Sequence, residues 1–170
     1  MIFTLIGMPG AGKSCMGRSV SSKMKLPLID SDKLIEKRFG KKLQLILDEL
    51  GVDEFRRVEE EVLLSLKPTE GKHFILSTGG SAVYSKAAMD YLGTVGKVIY
   101  LYCSCDTILK RIDNPDDRGI VLKPGQSLTD LYYERAPLYE SAADVTVSCD
   151  GTAYPRYQRE LIRVIKSFIN

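Results

Sequence analysis

A single histidine, His73, and four cysteines at positions 15, 103, 105 and 149 leave this chain poor in soft metal ligands. The cysteines form one C-x-C and are otherwise far apart, which excludes a zinc site of ordinary spacing. Reduced, buried thiols are the expectation. The chain also lacks an apolar run near the length of a membrane span. It opens on "MIFTLI" with neither a basic leader nor a small-residue cleavage site, so it reads as a cytoplasmic protein with no membrane partner. Nor is there an excess of one charge: 24 Lys and Arg stand against 22 Asp and Glu, a formal +2. No basic field for nucleic acid follows, and any bound anion should be small.

At 170 residues the chain fits one domain. Apolar runs bounded by turn residues at 2–6, 26–29, 73–77, 97–102 and 144–148 predict buried strands. Helical spacing occupies 13–24, 32–39, 43–50, 52–66, 86–92, 105–112, 127–140 and 155–169. Within these, Val52, Phe55, Val58, Val62 and Leu66 form one stripe, and Leu43, Ile46, Leu47 and Leu50 form another packing face. Strands alternating with helices predict an α/β fold, a five-stranded parallel sheet covered on both faces in three α/β/α layers, with ligands beyond the strands' carboxyl ends. The Gly-, Pro- and Asp-rich stretch 113–126 is a candidate lid within a single domain spanning 1–170.

Gly7, Gly12, Lys13 and Ser14 satisfy G-x-x-x-x-G-K-[ST], after a predicted strand and before a predicted helix. Phosphate oxygens need inward-pointing backbone N–H groups, hence unusual dihedrals and close approach at Gly7, Gly10 and Gly12. The backbone through Gly10, Ala11, Gly12, Lys13, Ser14 and Cys15 should hold the phosphates, with Lys13 adding charge, Ser14 a hydroxyl for Mg²⁺, and the helix its free N–H groups.

A guanine-reading N-K-x-D is absent, and each D-x-x-G ("DELG", "DYLG", "DDRG") lacks a preceding apolar strand, which argues against a GTPase switch. Transfer of phosphate to a small acceptor then requires an acceptor site. In "LIDSD", an extended chain would turn Asp30 and Asp32 to the same side, one carboxylate for Mg²⁺ through water and one for an acceptor hydroxyl. The same residues also suit a helix cap.

"GMPGAGKS", "IDSD", "GVDEFRRVEE", "LSTGGSAV", an Arg in the lid and "ERAPLYESAAD" follow one another as they do in the shikimate kinase family, and the resemblance runs from Met1 to about Pro155. It implies a P-loop NTPase of the nucleoside monophosphate kinase-like fold, a monomer that uses ATP and Mg²⁺ to phosphorylate the 3-hydroxyl of shikimate. Lys13 then holds phosphates. Ser14 ligates Mg²⁺ with Asp30 in support. Asp32 binds the acceptor hydroxyls as the proposed base, Arg56 and Arg135 grip the carboxylate, and Gly79 and Gly80 turn beside the ring. Arg118 would close on the phosphates and Arg111 would lie against adenine, with Pro155 near a second adenine-contacting loop. The residue types agree with that chemistry, since Arg forks suit a carboxylate and a carboxylate suits a hydroxyl.

Three departures from the family pattern stand out. Ser81 replaces the usual third glycine, which strains the backbone by roughly 1 kcal/mol if that position needs positive φ. The lid continues "RGIVL" where Pro and leucines are usual, and "SCDGTAYP" lacks an arginine before Pro155, which predicts modest nucleotide affinity. Competing readings are a gluconate kinase-like enzyme and a nucleotide-binding relic without catalysis. Arg56 could instead pair with Glu59 and Glu60 on a wet helix face, as Arg57 is expected to do with its own neighbours.

Overall fold

The computed structural model describes residues 1–112, 120, 122–151 and 153–169. Strands β1 (Ile2–Ile6), β2 (Leu28–Asp30), β3 (Phe74–Ser77), β4 (Gly96–Tyr102) and β5 (Val145–Ser148) form one parallel sheet in the order β2-β3-β1-β4-β5. Helices α1 (Lys13–Met24), α2 (Ser31–Phe39), α3 (Leu43–Ser65), α4 (Lys86–Val95), α5 (Cys105–Arg111), α6 (Leu128–Ala142) and α7 (Tyr154–Ile169) connect and cover it. A five-stranded parallel sheet with the glycine-rich loop leaving its central strand is the architecture that the resemblance implies.

Strand β1 is central and buried at all five residues, as a strand covered on both faces must be. It pairs in register with β3 (Leu5 to Ser77) and β4 (Ile6 to Tyr100), so the chain ends leaving these strands share one edge. The sheet's carboxyl ends thus bring together the loop after β1, Asp30 at the end of β2, and Thr78–Gly80 after β3.

The core has two parts. One surrounds the sheet; the other, built on Ile35, Ile46, Phe55, Val58 and Val62 with Leu43, Leu47 and Leu50 against it, glues α2 to α3. Both predicted stripes therefore serve packing, each fully buried side chain contributing about 1.5–3 kcal/mol. Helix α3 is interrupted at Gly51 (φ 75°, ψ 168°), where the sequence reading places a boundary between two helices. Its second half carries Arg56 and Glu59 toward the sheet edge.

The expectation of uniformly buried thiols fails. All four cysteines are free, but Cys15 is exposed and Cys105 only half-buried. Cys15 follows the phosphate-loop lysine and serine, and its side chain faces the outer cleft rather than the sheet.

Candidate active site

The loop from Gly7 to Gly12 leaves β1 with positive φ at Gly7, Gly10 and Gly12 (146°, 82° and 92°), a geometry that costs other residues strain. Gly12 is the N-cap of α1, with no side chain over the first free N–H groups. Lys13 is buried, and its Nζ donates to the Gly7 and Met8 carbonyls at 2.7 and 3.0 Å. Burial lowers its pKa to about 8, against an opposing pull from Asp32. The cleft around it is lined by Pro9, Gly10, Gly12, Ser14, Arg18 and Asp32.

Beside Lys13, Ser14 Oγ donates to Asp30 Oδ2 at 3.0 Å and lies 3.3 Å from Ser77 Oγ. Asp30 Oδ1 accepts from the backbone N–H of Asp32 and Lys33, so Asp30 is also the N-cap of α2. The cap reading of "DSD" is met at Asp30, whose other carboxylate oxygen remains directed at Ser14. The extended-chain argument does not hold: β2 ends at Asp30 and α2 begins at Ser31. The two carboxylates approach because a helix starts between them, and this tight turn, rather than strand alternation, places Asp32 in the cleft.

Asp32 is held by burial, then by Asp30, at a pKa of about 6. Its Oδ1 is buried with no hydrogen-bond partner among the described residues. Glu59, 4% exposed, is pushed by burial to about 7 although the Ser81 hydroxyl donates to it. The two carboxylates both close on Gly79. A Cβ there would lie 2.6 Å from Glu59 Oε1 and 2.7 Å from Asp32 Oδ1, so any larger residue would have to push a carboxylate aside. At Gly80 a Cβ would meet Pro9 and Arg135.

Arg135 on α6 is 3% exposed and makes no ion pair among the described residues. Its Nε donates to Tyr84 Oη at 3.2 Å, and its Cζ lies 5.1 Å from the Tyr84 ring centroid. Arg56 also stacks on Tyr84, its Cζ 4.0 Å from the ring centroid. The ion pairs proposed for Arg56 do not form: Ser81 and Ser85 donate to Glu59 and Glu60, while Arg57 pairs with Glu54 at 3.1 Å on the surface. Together Arg56, Glu59, Ser81 and Tyr84 line a second cleft. A buried guanidinium without a counter-charge is costly unless an anion arrives.

The family model described as shikimate kinase matches residues 9–166. The chain belongs to the shikimate kinase family. It is 40% identical over 149 residues, 86% of this chain and 82% of the relative, to shikimate kinase of Haemophilus influenzae. Shikimate kinase 1 of Salmonella newport is 35% identical and covers 96% of this chain and 95% of its own. Among solved structures, shikimate kinase from Acinetobacter baumannii in complex with shikimate superposes with a TM-score of 0.85 at 32% identity, covering 98% of this chain and 93% of its own.

For a shikimate kinase the third position of the glycine turn is unusual here, yet unstrained: Ser81 has φ −86° and ψ −12°, an ordinary right-handed conformation. The condition for strain, a positive φ, is not met, and the hydroxyl has a partner in Glu59. Arg111 reaches the outer pocket of Gly10, Cys15, Cys149, Gly151, Tyr154 and Tyr157, but its guanidinium donates to the Gly10, Cys149 and Gly151 carbonyls and to Cys103 Sγ. It fastens the phosphate loop to the loop before α7. Arg118 lies outside the described residues, as does most of the 113–126 stretch.

Residues missed by sequence reasoning are Arg18, Glu59, Tyr84 and Tyr154. Arg18 carried a signal, being one helical turn beyond Ser14 and so on the same face. Glu59 and Tyr84 carried none, because their partners are distant in sequence.

Proposed function

We propose that this chain transfers the γ-phosphoryl group of ATP to the 3-hydroxyl of shikimate. The observation that carries the acceptor's identity is Arg135: a buried guanidinium without an ion pair, beside a second arginine and two carboxylates, suits a small molecule bearing one carboxylate and several hydroxyls. Gluconate offers no comparable ring for the cramped Gly79–Gly80 turn to flank.

Backbone N–H groups of Gly10, Ala11, Gly12, Lys13, Ser14 and Cys15 receive the phosphates, supported by the Lys13 ammonium and the N-terminus of α1. Tyr154, with Arg111 fixing the pocket floor, faces the base. Arg56 and Arg135 hold the acceptor carboxylate, and Gly79 and Gly80 let the ring approach the sheet edge. Asp32 accepts the hydrogen bond of the reacting hydroxyl. As the oxygen–phosphorus bond forms and the bridge to ADP breaks, its carboxylate takes the proton. Arg118 belongs to the same proposal, as a charge that meets the transferring group.

Mg²⁺ fits the residues present. Ser14 Oγ, Asp30 Oδ2 and Ser77 Oγ are hard oxygens gathered beside the phosphate cradle, and among the described residues no cluster of three acidic or soft ligands exists to form a dedicated metal cage. Ser14 would ligate the ion and Asp30 would hold its waters. The chemistry such an ion would supply there is neutralisation of the negative charge of the nucleotide's phosphates. A single-domain monomer working in the cytoplasm belongs to the same proposal. No helix among the described residues is long and apolar enough to cross a membrane.

Phosphorus NMR of the product tests the assignment. A phosphomonoester coupled to the ring proton at carbon 3 is expected; coupling at another carbon would overturn the regiochemistry, and no ester at all would overturn the acceptor.

A further inference from the structure

Resting on the reading of the second cleft as a carboxylate site, we propose that Tyr84 is the residue that positions both arginines for the acceptor's carboxylate and thereby sets this chain's preference for a carboxylated acceptor. Tyr84 ends a short 3₁₀ turn, Ala82–Tyr84, whose Ala82 and Val83 are buried. The turn's backbone is tied down by donation from Tyr84 N–H to the Ser81 carbonyl at 3.0 Å, and the preceding Gly80 carbonyl accepts from Tyr139 Oη at 2.6 Å. The ring is therefore mounted on a fixed support between α3 and α6.

Two guanidinium groups from different helices lie against this one ring, at 4.0 Å for Arg56 and 5.1 Å for Arg135. They repel each other, and neither has an ion pair among the described residues. The electron-rich face of the ring supplies the attraction that keeps both in place without neutralising them, leaving their N–H groups for a ligand.

The hydroxyl adds direction. It accepts from Arg135 Nε at 3.2 Å, which fixes that guanidinium with its Nη1 beside the Gly80 turn, 3.1 Å from where a Cβ on Gly80 would stand, and it donates to Glu134 Oε1 at 2.5 Å. Glu134 is fixed in turn, Oε2 accepting from Gln126 Nε2 at 2.9 Å and from Lys123 Nζ at 3.1 Å. The Tyr84 hydroxyl and Lys123 hold the Glu134 carboxyl below its usual range, so an anionic acceptor waits for the phenol's proton. Had a carboxylate stood where the ring is, it would have paired with the arginines and cancelled the charge that the acceptor needs. A purely structural tyrosine would need neither the stacking of two cations nor this orientation of its hydroxyl.

The test compares wild type, Y84F and Y84L with shikimate and with its methyl ester, measuring KM and kcat for each acceptor and KM for ATP. Y84L is expected to raise KM for shikimate about tenfold or more while KM for ATP stays within about twofold. Y84F, which keeps the ring and loses the Arg135 and Glu134 bonds, should fall between wild type and Y84L. The ester, with no charge for the arginines to meet, should show little difference among the three proteins. An unchanged KM for shikimate in Y84L, or an equal rise for acid and ester, overturns the proposal. If Y84L does not fold, Y84F decides: wild-type KM for shikimate overturns the proposal, and an acid-specific rise supports it. Failure of the wild type itself to phosphorylate shikimate would instead overturn the acceptor assignment.

Discussion

Lys13 Nζ donates to the carbonyl of Gly7 at 2.7 Å, so the lysine of the glycine-rich loop is held against the loop it belongs to. An ammonium has three protons, and the Gly7 and Met8 carbonyls use two of them. The third is already aimed by the other two, and little reorganisation is needed when phosphate enters. Replacing Lys13 by Ala is expected to lower kcat by a factor of about 10² to 10³ or more, as measured by ADP release. Because burial brings the ammonium to about 8 and Asp32 to about 6, kcat/KM should rise with pH through about 6 as Asp32 ionises and fall above about 8 as Lys13 loses its proton. A profile without the acid limb would remove Asp32 from the reaction.

Glu59 gives a prediction about stability. Its folded pKa is raised from 4.5 to about 7, so the folded protein binds this proton more tightly than the unfolded chain. The stability it confers is present at low pH and is lost as pH rises from about 4.5 through about 7. E59Q should therefore melt higher than wild type at pH about 8, by an amount on the order of 2–3 kcal/mol, and show little gain at pH about 4.5. Equal changes at both pH values in thermal melts would contradict the account. A function-linked charge kept at the expense of stability is common in active sites.

Asp30 caps α2, and substitution can separate that role from the one proposed for it beside Mg²⁺. Asn caps a helix about as well as Asp but carries no charge. D30N should keep the melting temperature near wild type while the Mg²⁺ needed for half-maximal rate rises about 10- to 100-fold. D30A should show the same Mg²⁺ effect and lose about 1 kcal/mol of stability as well, since the N–H groups of Asp32 and Lys33 lose their acceptor. A normal Mg²⁺ requirement in D30N would remove Asp30 from the metal's surroundings.

Arg135 is buried without an ion pair, and its removal should cost the acceptor and not the nucleotide. R135A is expected to raise KM for shikimate by a factor corresponding to about 2–5 kcal/mol, with KM for ATP little changed. Steady-state kinetics with each substrate varied in turn checks this, and an unchanged KM for shikimate would place the carboxylate elsewhere.

What the sequence made legible follows from the range over which each constraint acts. The phosphate loop was readable because its glycines and lysine answer to dihedral and charge requirements within a few residues, and the strand and helix around it have clear periods. The split of α3 at Gly51 was readable for the same local reason. Asp32 was found with the wrong geometry, since the start of α2 one residue after Asp30 overrode strand alternation. Whether Ser81 is strained turns on a φ that the sequence does not reveal; the structure gives it an ordinary conformation and a partner 22 residues away in Glu59. Tyr84 meets Arg135 across 51 residues, and no local pattern announces such a contact.

The most direct measurement is coupled ADP release with Mg-ATP and shikimate, gluconate or no acceptor. The account predicts release that depends on shikimate, with gluconate no better than the blank. Release supported by gluconate and not by shikimate, or release indifferent to any acceptor, would contradict the assignment of Asp32, Arg56 and Arg135 to a carboxylated ring.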